Sequence, residues 1–133
     1  MKPKLLFVCV ENSCRSQMAE GLARMSGSDR IEAFSAGSRP SGAVNPKAVD
    51  AMSELGYDLG SHQSVSLEDV PDGPYAAVVT MGCGDACPHV PAERREDWEI
   101  PDPKHMPSDE FRAVRDDIRE RVERLLADIA PGE

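Results

Sequence analysis

Cys9 and Arg15 bracket the run Cys-Val-Glu-Asn-Ser-Cys-Arg, with Ser16 directly after it. A cysteine, five intervening residues and an arginine have the parts needed to attack a tetrahedral oxyanion. The backbone N–H groups of Val10, Glu11, Asn12, Ser13 and Cys14 can curl around an anion, and a helix starting at Arg15 and Ser16 adds partial positive charge. The planar fork of Arg15 can hold two oxygens at once. The same positive field favours the thiolate of Cys9, which is the nucleophilic form.

Such a run needs the right elements around it before it means anything. Lys4–Val8 reads as a short buried strand. Ser16–Met25 reads as a helix, with Met18, Leu22 and Met25 on one face. Strand, anion loop and helix therefore follow in the required order. Reading Cys9 and Cys14 as ordinary buried thiols leaves Asn12, Arg15 and Ser16 beside them unexplained.

A second segment, Met-Gly-Cys-Gly-Asp-Ala-Cys-Pro over 81–88, follows another apolar stretch. In a parallel sheet it falls at the same end as Cys9, which would bring Cys83 and Cys87 near it. Three such thiols suit serial thiol–disulfide exchange, and Cys83 and Cys87 could pair if their Cα atoms come within about 7 Å. Two other readings stay open: a zinc site of Cys9, Cys14, Cys83 and Cys87, and a pair of inert thiols. The zinc reading gives Arg15 no purpose, and the spacings match no usual zinc ribbon. Asp102, between Pro101 and Pro103, could donate a proton to a departing oxygen. His62, His89 and His105 read as surface histidines, and Trp98 as core or lid packing.

Composition narrows the setting. The 133 residues (1–133) read as one domain, and 40% hydrophobic content is enough for a core. No apolar run is long enough to span a bilayer. Met-Lys-Pro-Lys leads straight into the first strand, so no signal peptide and a cytoplasmic location are expected. Four cysteines in a reducing compartment then point to catalysis or redox work. A formal net charge of −9 disfavours nucleic acid and anionic membranes as partners.

Further elements follow from pattern. Ile31–Ala36 alternates as a strand. Asn45 and Pro46 form a cap and first turn for a helix through Leu55, stopped at Gly56. Tyr75–Met81 is a third strand, and a short strand is expected near Trp98–Ile100. Phe111, Val114, Ile118, Val122, Leu125 and Ile129 mark a last helix from about Ser108 to Ile129. The fold class is α/β: three layers, with a central parallel sheet of about four strands and helices on both faces. Cys9 then lies at the carboxyl end of the sheet, where open α/β folds bind ligands.

With these residues in place, the chain resembles the thioredoxin-coupled arsenate reductases, which share the fold of low-molecular-weight protein tyrosine phosphatases. The resemblance rests on the 9–21 run, Ser35-Ala36-Gly37, Asn45-Pro46, the Cys83/Cys87 pair and Asp102-Pro103. It implies an enzyme of arsenical resistance in which Cys9 attacks arsenate held by Arg15 and the loop amides. Ser16 would hydrogen-bond the Cys9 thiolate, Asn12 would brace the loop, and Asp102 would protonate the leaving oxygen. Cys83 would then attack Cys9, Cys87 would attack Cys83, and reduced thioredoxin would reopen the Cys83–Cys87 disulfide. No tightly bound cofactor is implied. Phosphate or sulfate would mimic arsenate, and a monomer is expected.

The chain departs from this pattern at three points. Three residues separate Cys83 and Cys87, fewer than in well-known members. Glu11 places a carboxylate in the anion loop, where an outward orientation is expected. Asn12, Glu20 and Ser35 match a potassium site of some members, but Val65 stands near an expected aspartate, so no metal is expected. Cys14 reads as a loop-packing thiol. Two alternatives remain: a phosphatase using Cys9, Arg15 and Asp102 on phosphate monoesters, and a non-enzymatic thiol sensor. Lys104, where phosphatases of this fold tend to carry an aromatic, speaks against the first. Net acidity without a basic patch speaks against a transcriptional sensor.

Overall fold

The computed structural model describes residues 2–27, 29–81 and 91–130. In chain order the elements are β1 (Lys4–Cys9), α1 (Arg15–Gly27), β2 (Glu32–Gly37), α2 (Pro46–Ser53), β3 (Tyr75–Thr80), β4 (Ala92–Asp97) and α3 (Ser108–Ile129). Single 3-10 turns at Leu59–Ser61 and Leu67–Asp69 lie between α2 and β3. The four strands form one parallel sheet in the order β2-β1-β3-β4. Cys83, Cys87 and His89 lie outside the described residues.

Each strand side has its own core. Leu5, Phe7 and Cys9 face a cluster that takes in Met18 and Leu22 of α1, Met52 of α2, and Phe111, Ile118 and Val122 of α3. Leu6, Val8 and Val78 face the opposite way, where Leu67 of the second 3-10 turn and Val70 cover them. The period-two alternation of β1 thus supplies two hydrophobic layers at once. No helix of the described residues is long and apolar enough to cross a membrane.

The predicted strand near Trp98–Ile100 lies earlier, at Ala92–Asp97. Its sequence, Ala-Glu-Arg-Arg-Glu-Asp, hides it: this is the sheet edge, where charged side chains suit a strand that must not pair further. Trp98 follows it, donating its backbone N–H to Thr80 at 2.9 Å, and packs on Phe7. The expected Asn45 cap is present, its side chain accepting from the Lys47 amide. Arg115 of α3 is buried and donates to the Ala51 carbonyl and the Glu54 carboxylate at the end of α2, placing a cation at that helix C-terminus.

The strand order puts β1 at the topological switch point, because the chain leaves β1 toward β2 and returns past it to β3. Cys9, the last residue of β1, pairs in register with Gly37. A Cβ on Gly37 would sit 2.7 Å from the Val10 carbonyl oxygen and 3.0 Å from Asn12. Backbone lies in the way, so no side chain can swing aside. Gly37→Ala is therefore expected to cost about 1–3 kcal/mol, read as a lower thermal midpoint and weaker phosphate binding; an unchanged midpoint would refute this packing.

Candidate functional site

The chain after Cys9 has a single organising property: its carbonyls are taken from behind. The carbonyls of Cys9, Val10, Glu11 and Ser13 accept from the amides of Ser38, Arg39, Ser41 and Asn45 at 2.8–3.3 Å. Glu11 O also accepts from Ser64 Oγ, Asn12 O from Gln17 Nε2, and Cys14 O from the Met18 amide. In a trans peptide the N–H points opposite to the C=O. Six outward carbonyls therefore aim the N–H groups of residues 10–15 the other way, forming a nest for an anion. A cavity of about 380 Å³ lies there, lined by Cys9, Val10, Glu11, Ser13, Cys14, Arg15 and Asp102.

Arg15 opens α1 and is 9% exposed. One of its nitrogens donates to the Ile100 carbonyl at 3.0 Å, and the other stands 3.9 Å from the Asp102 carboxylate. The segment after β4 thus fixes the guanidinium and presents Asp102, which is half exposed, across from Cys9. Asp102 also accepts from the Lys104 amide at 3.0 Å, the turn expected of its proline-flanked position.

Behind the loop, Asn12 is fully buried with φ 52°, a left-handed conformation that asparagine tolerates. Its Nδ2 donates to Ser16 Oγ at 2.8 Å, and Ser16 Oγ lies 2.9 Å from Cys9 Sγ. Ser16 uses an oxygen lone pair on Asn12, so its proton is free for the sulfur, an arrangement that suits a sulfur anion. Asn12 Oδ1 accepts from Gln17 Nε2 and the Val65 amide.

His62 corrects the sequence reading: it is not a surface residue. Its side chain is 6% exposed and lies 2.9 Å from Gln17 Oε1 and 2.6 Å from Tyr57 Oη. Gln17 Nε2 meets three acceptors, which orients the amide and leaves Oε1 to accept from His62 Nδ1–H. Tyr57 then donates to Nε2. Donors run in one direction from Tyr57 through His62, Gln17, Asn12 and Ser16 to Cys9. Burial lowers the His62 pKa, keeping the ring neutral as this chain requires. The sequence does not announce this network because the contact that joins its two halves, Gln17 to His62, spans 45 residues; His105 is exposed as expected.

Cys14 is buried, and desolvation pushes its thiol up to about 11, so it stays protonated at neutral pH. Glu11 does not simply face solvent; both its oxygens meet Lys104 Nζ, at 3.1 and 3.2 Å. The residues matching a potassium site do not fit a cation here. The Glu20 carboxylate is taken by the Ser35 hydroxyl and, at 2.6 Å, by the Arg24 guanidinium. Val65 offers no carboxylate, and its amide is spent on Asn12. Among the described residues no cluster of three or more metal-ligating side chains occurs.

The family model for low molecular weight phosphotyrosine protein phosphatases matches residues 4–132, and the chain belongs to that family. It is 41% identical to a glutaredoxin arsenate reductase of Synechocystis over 96% of this chain and 98% of that protein. A solved structure of an arsenate reductase in the phosphate binding state superposes with a TM-score of 0.86 at 40% identity, covering 98% of this chain and all of that one. A thioredoxin-dependent arsenate reductase of Corynebacterium glutamicum gives 0.79 at 30% identity, over 96% of this chain and 62% of that one.

Two outcomes follow from the buried network. Asn12→Ala removes the partners of Ser16, Gln17 and Val65, and is expected to cost about 2–4 kcal/mol and to abolish phosphate binding; a calorimetric titration and a melting curve check both. His62, with its folded pKa below the ordinary 6.5, contributes stability above about pH 6.5 that is lost as pH falls through the folded value. Buried Glu20, raised by desolvation, acts with the opposite sign. Comparing melting against pH for the native chain and His62→Gln isolates the histidine: the native chain should lose more stability between pH 7 and 5, and equal slopes would contradict a buried neutral His62.

Proposed function

We propose that this chain reduces arsenate to arsenite with Cys9 as the nucleophile. The observation that carries the reading is the Cys9 thiol, backed by Ser16, at the rim of an amide nest that also presents Arg15 and Asp102. Its similarity to arsenate reductases over nearly the full chain supports the same reading.

In the first step a Cys9–arsenic bond forms as an arsenic–oxygen bond breaks, and Asp102 donates the proton that lets the oxygen leave as water. The nest amides and Arg15 hold the remaining oxygens and take up the developing charge. Cys83 thiolate then attacks the Cys9 sulfur. The sulfur–arsenic pair stays on arsenic, which leaves as arsenite, As(III). Cys87 attacks Cys83, freeing Cys9 and leaving a Cys83–Cys87 disulfide. An external dithiol takes the disulfide back to two thiols and is itself oxidised. The roles of Cys83 and Cys87 rest on sequence and on the resemblance.

The dithiol is proposed to be thioredoxin, in keeping with the Corynebacterium relative. Glutaredoxin with glutathione is the second reading, favoured by the 41% identity to a glutaredoxin arsenate reductase. The chain is proposed to act as a cytoplasmic monomer. The family description also makes hydrolysis of phosphate monoesters an alternative; that chemistry needs Cys9, Arg15 and Asp102 but neither Cys83 nor Cys87.

One assay separates these readings. NADPH oxidation is followed with arsenate and either thioredoxin plus its reductase or glutaredoxin plus glutathione and its reductase. Sustained oxidation that needs arsenate, Cys9 and Cys83 is expected, with Cys9→Ser inactive and Cys87→Ser limited to one turnover. Absence of arsenate-dependent oxidation with both donors, together with aryl phosphate hydrolysis that survives Cys83→Ser, would replace the reductase with a phosphatase.

A further inference from the structure

Glu11 sets a problem for an anion site. It is the acidic side chain of the nest itself and lines the same cavity as Cys9 and Arg15. An unpaired carboxylate there would repel a doubly charged oxyanion. Lys104, two residues beyond the cavity-lining Asp102, meets it with its ammonium 3.1 and 3.2 Å from the two carboxylate oxygens. Lys104 is itself held: its amide donates to Asp102, and its carbonyl and that of Met106 accept from Lys47 Nζ. The pair therefore joins two anchored backbones rather than two loose side chains.

We propose that Lys104 is a charge-masking residue, which tunes oxyanion affinity by neutralising Glu11 and not by touching the anion. This deepens the reading of the cavity as an oxyanion site and rests on it. The consequence is a dependence of one residue on the other. Without Lys104, the Glu11 carboxylate faces the incoming anion alone. Without Glu11, Lys104 has nothing to mask, and its charge adds to the attraction.

The test is calorimetric titration of inorganic phosphate into the reduced native chain, Lys104→Met, Glu11→Gln and the double variant, at low and high salt. Both side chains are more than a third exposed, so the variants should fold. Lys104→Met is expected to weaken binding about tenfold at low salt, with most of the loss removed at high salt by screening. Glu11→Gln should bind more tightly than native. The double variant, which carries no charge at either position, should bind within about threefold of native, the two effects cancelling. A double variant that binds about as weakly as Lys104→Met would mean that Lys104 acts on the anion directly while Glu11 does not repel it, and would overturn the proposal, as would no loss in Lys104→Met. A native chain that binds no phosphate would instead remove the oxyanion reading itself, and the proposal with it.

Discussion

Everything in the site depends on which way six peptide planes face. Residues 10–15 can present N–H groups to an anion because the carbonyls of residues 9–14 have partners elsewhere. Buried carbonyls without partners would be costly, and carbonyls facing the cavity would repel the very ligand the loop is shaped to hold. Residues 38–45 supply most of those partners from backbone amides, so a segment outside the cavity lining determines the electrostatics of the loop that lines it. Gly37 lets the two segments approach closely enough for this, since a Cβ there would meet Val10 and Asn12. Asn12 completes it: one buried residue in a left-handed conformation turns the loop and ties it to Ser16, Gln17 and Val65.

This arrangement also reconciles an acidic protein with an anionic ligand. A net charge of −9 acts over the whole surface and is screened within about 10 Å at ordinary ionic strength. The nest amides, the start of α1 and Arg15 act at contact distance and are unscreened there. Local geometry outweighs global charge because the interactions that hold an oxyanion are hydrogen bonds made at contact distance.

The strongest chemical signals were legible in the sequence because they are local. Cys9, Asn12, Arg15 and Ser16 lie within one strand–loop–helix turn, and the contacts that join Cys9, Asn12 and Ser16 to one another are seven residues apart or fewer. The last helix was readable end to end, Ser108–Ile129, because its apolar stripe is long and regular. What sequence could not give is long-range. His62 meets Gln17 across 45 residues and Lys104 meets Glu11 across 93; nothing near His62 or Lys104 in sequence announces either partner. β4 was misplaced for a different reason: at a sheet edge, charged side chains replace the apolar alternation that marks a strand. Cys83 and Cys87 remain a sequence argument throughout.

The hydrogen-bonded chain from half-buried Tyr57 to buried Cys9 gives a physical reason for polar side chains where apolar ones could have packed. Every donor in it points toward the sulfur, and each bond polarises the next, so the Ser16 hydroxyl is a better donor to Cys9 than an isolated serine would be. A hydroxyl held by Asn12 alone would be placed correctly but would carry only its own dipole. Burial of His62 keeps the ring neutral and so preserves the direction of the chain; a protonated ring would turn two N–H groups outward and break it at Tyr57. The cost of burying Gln17, His62 and Tyr57 is offset by their mutual hydrogen bonds, which also hold the loop at Gln63 and Val65 against the back of the nest. Orientation of the nucleophile and rigidity of the anion cradle thus come from one network, which is why Asn12, belonging to both, is the residue on which they jointly depend.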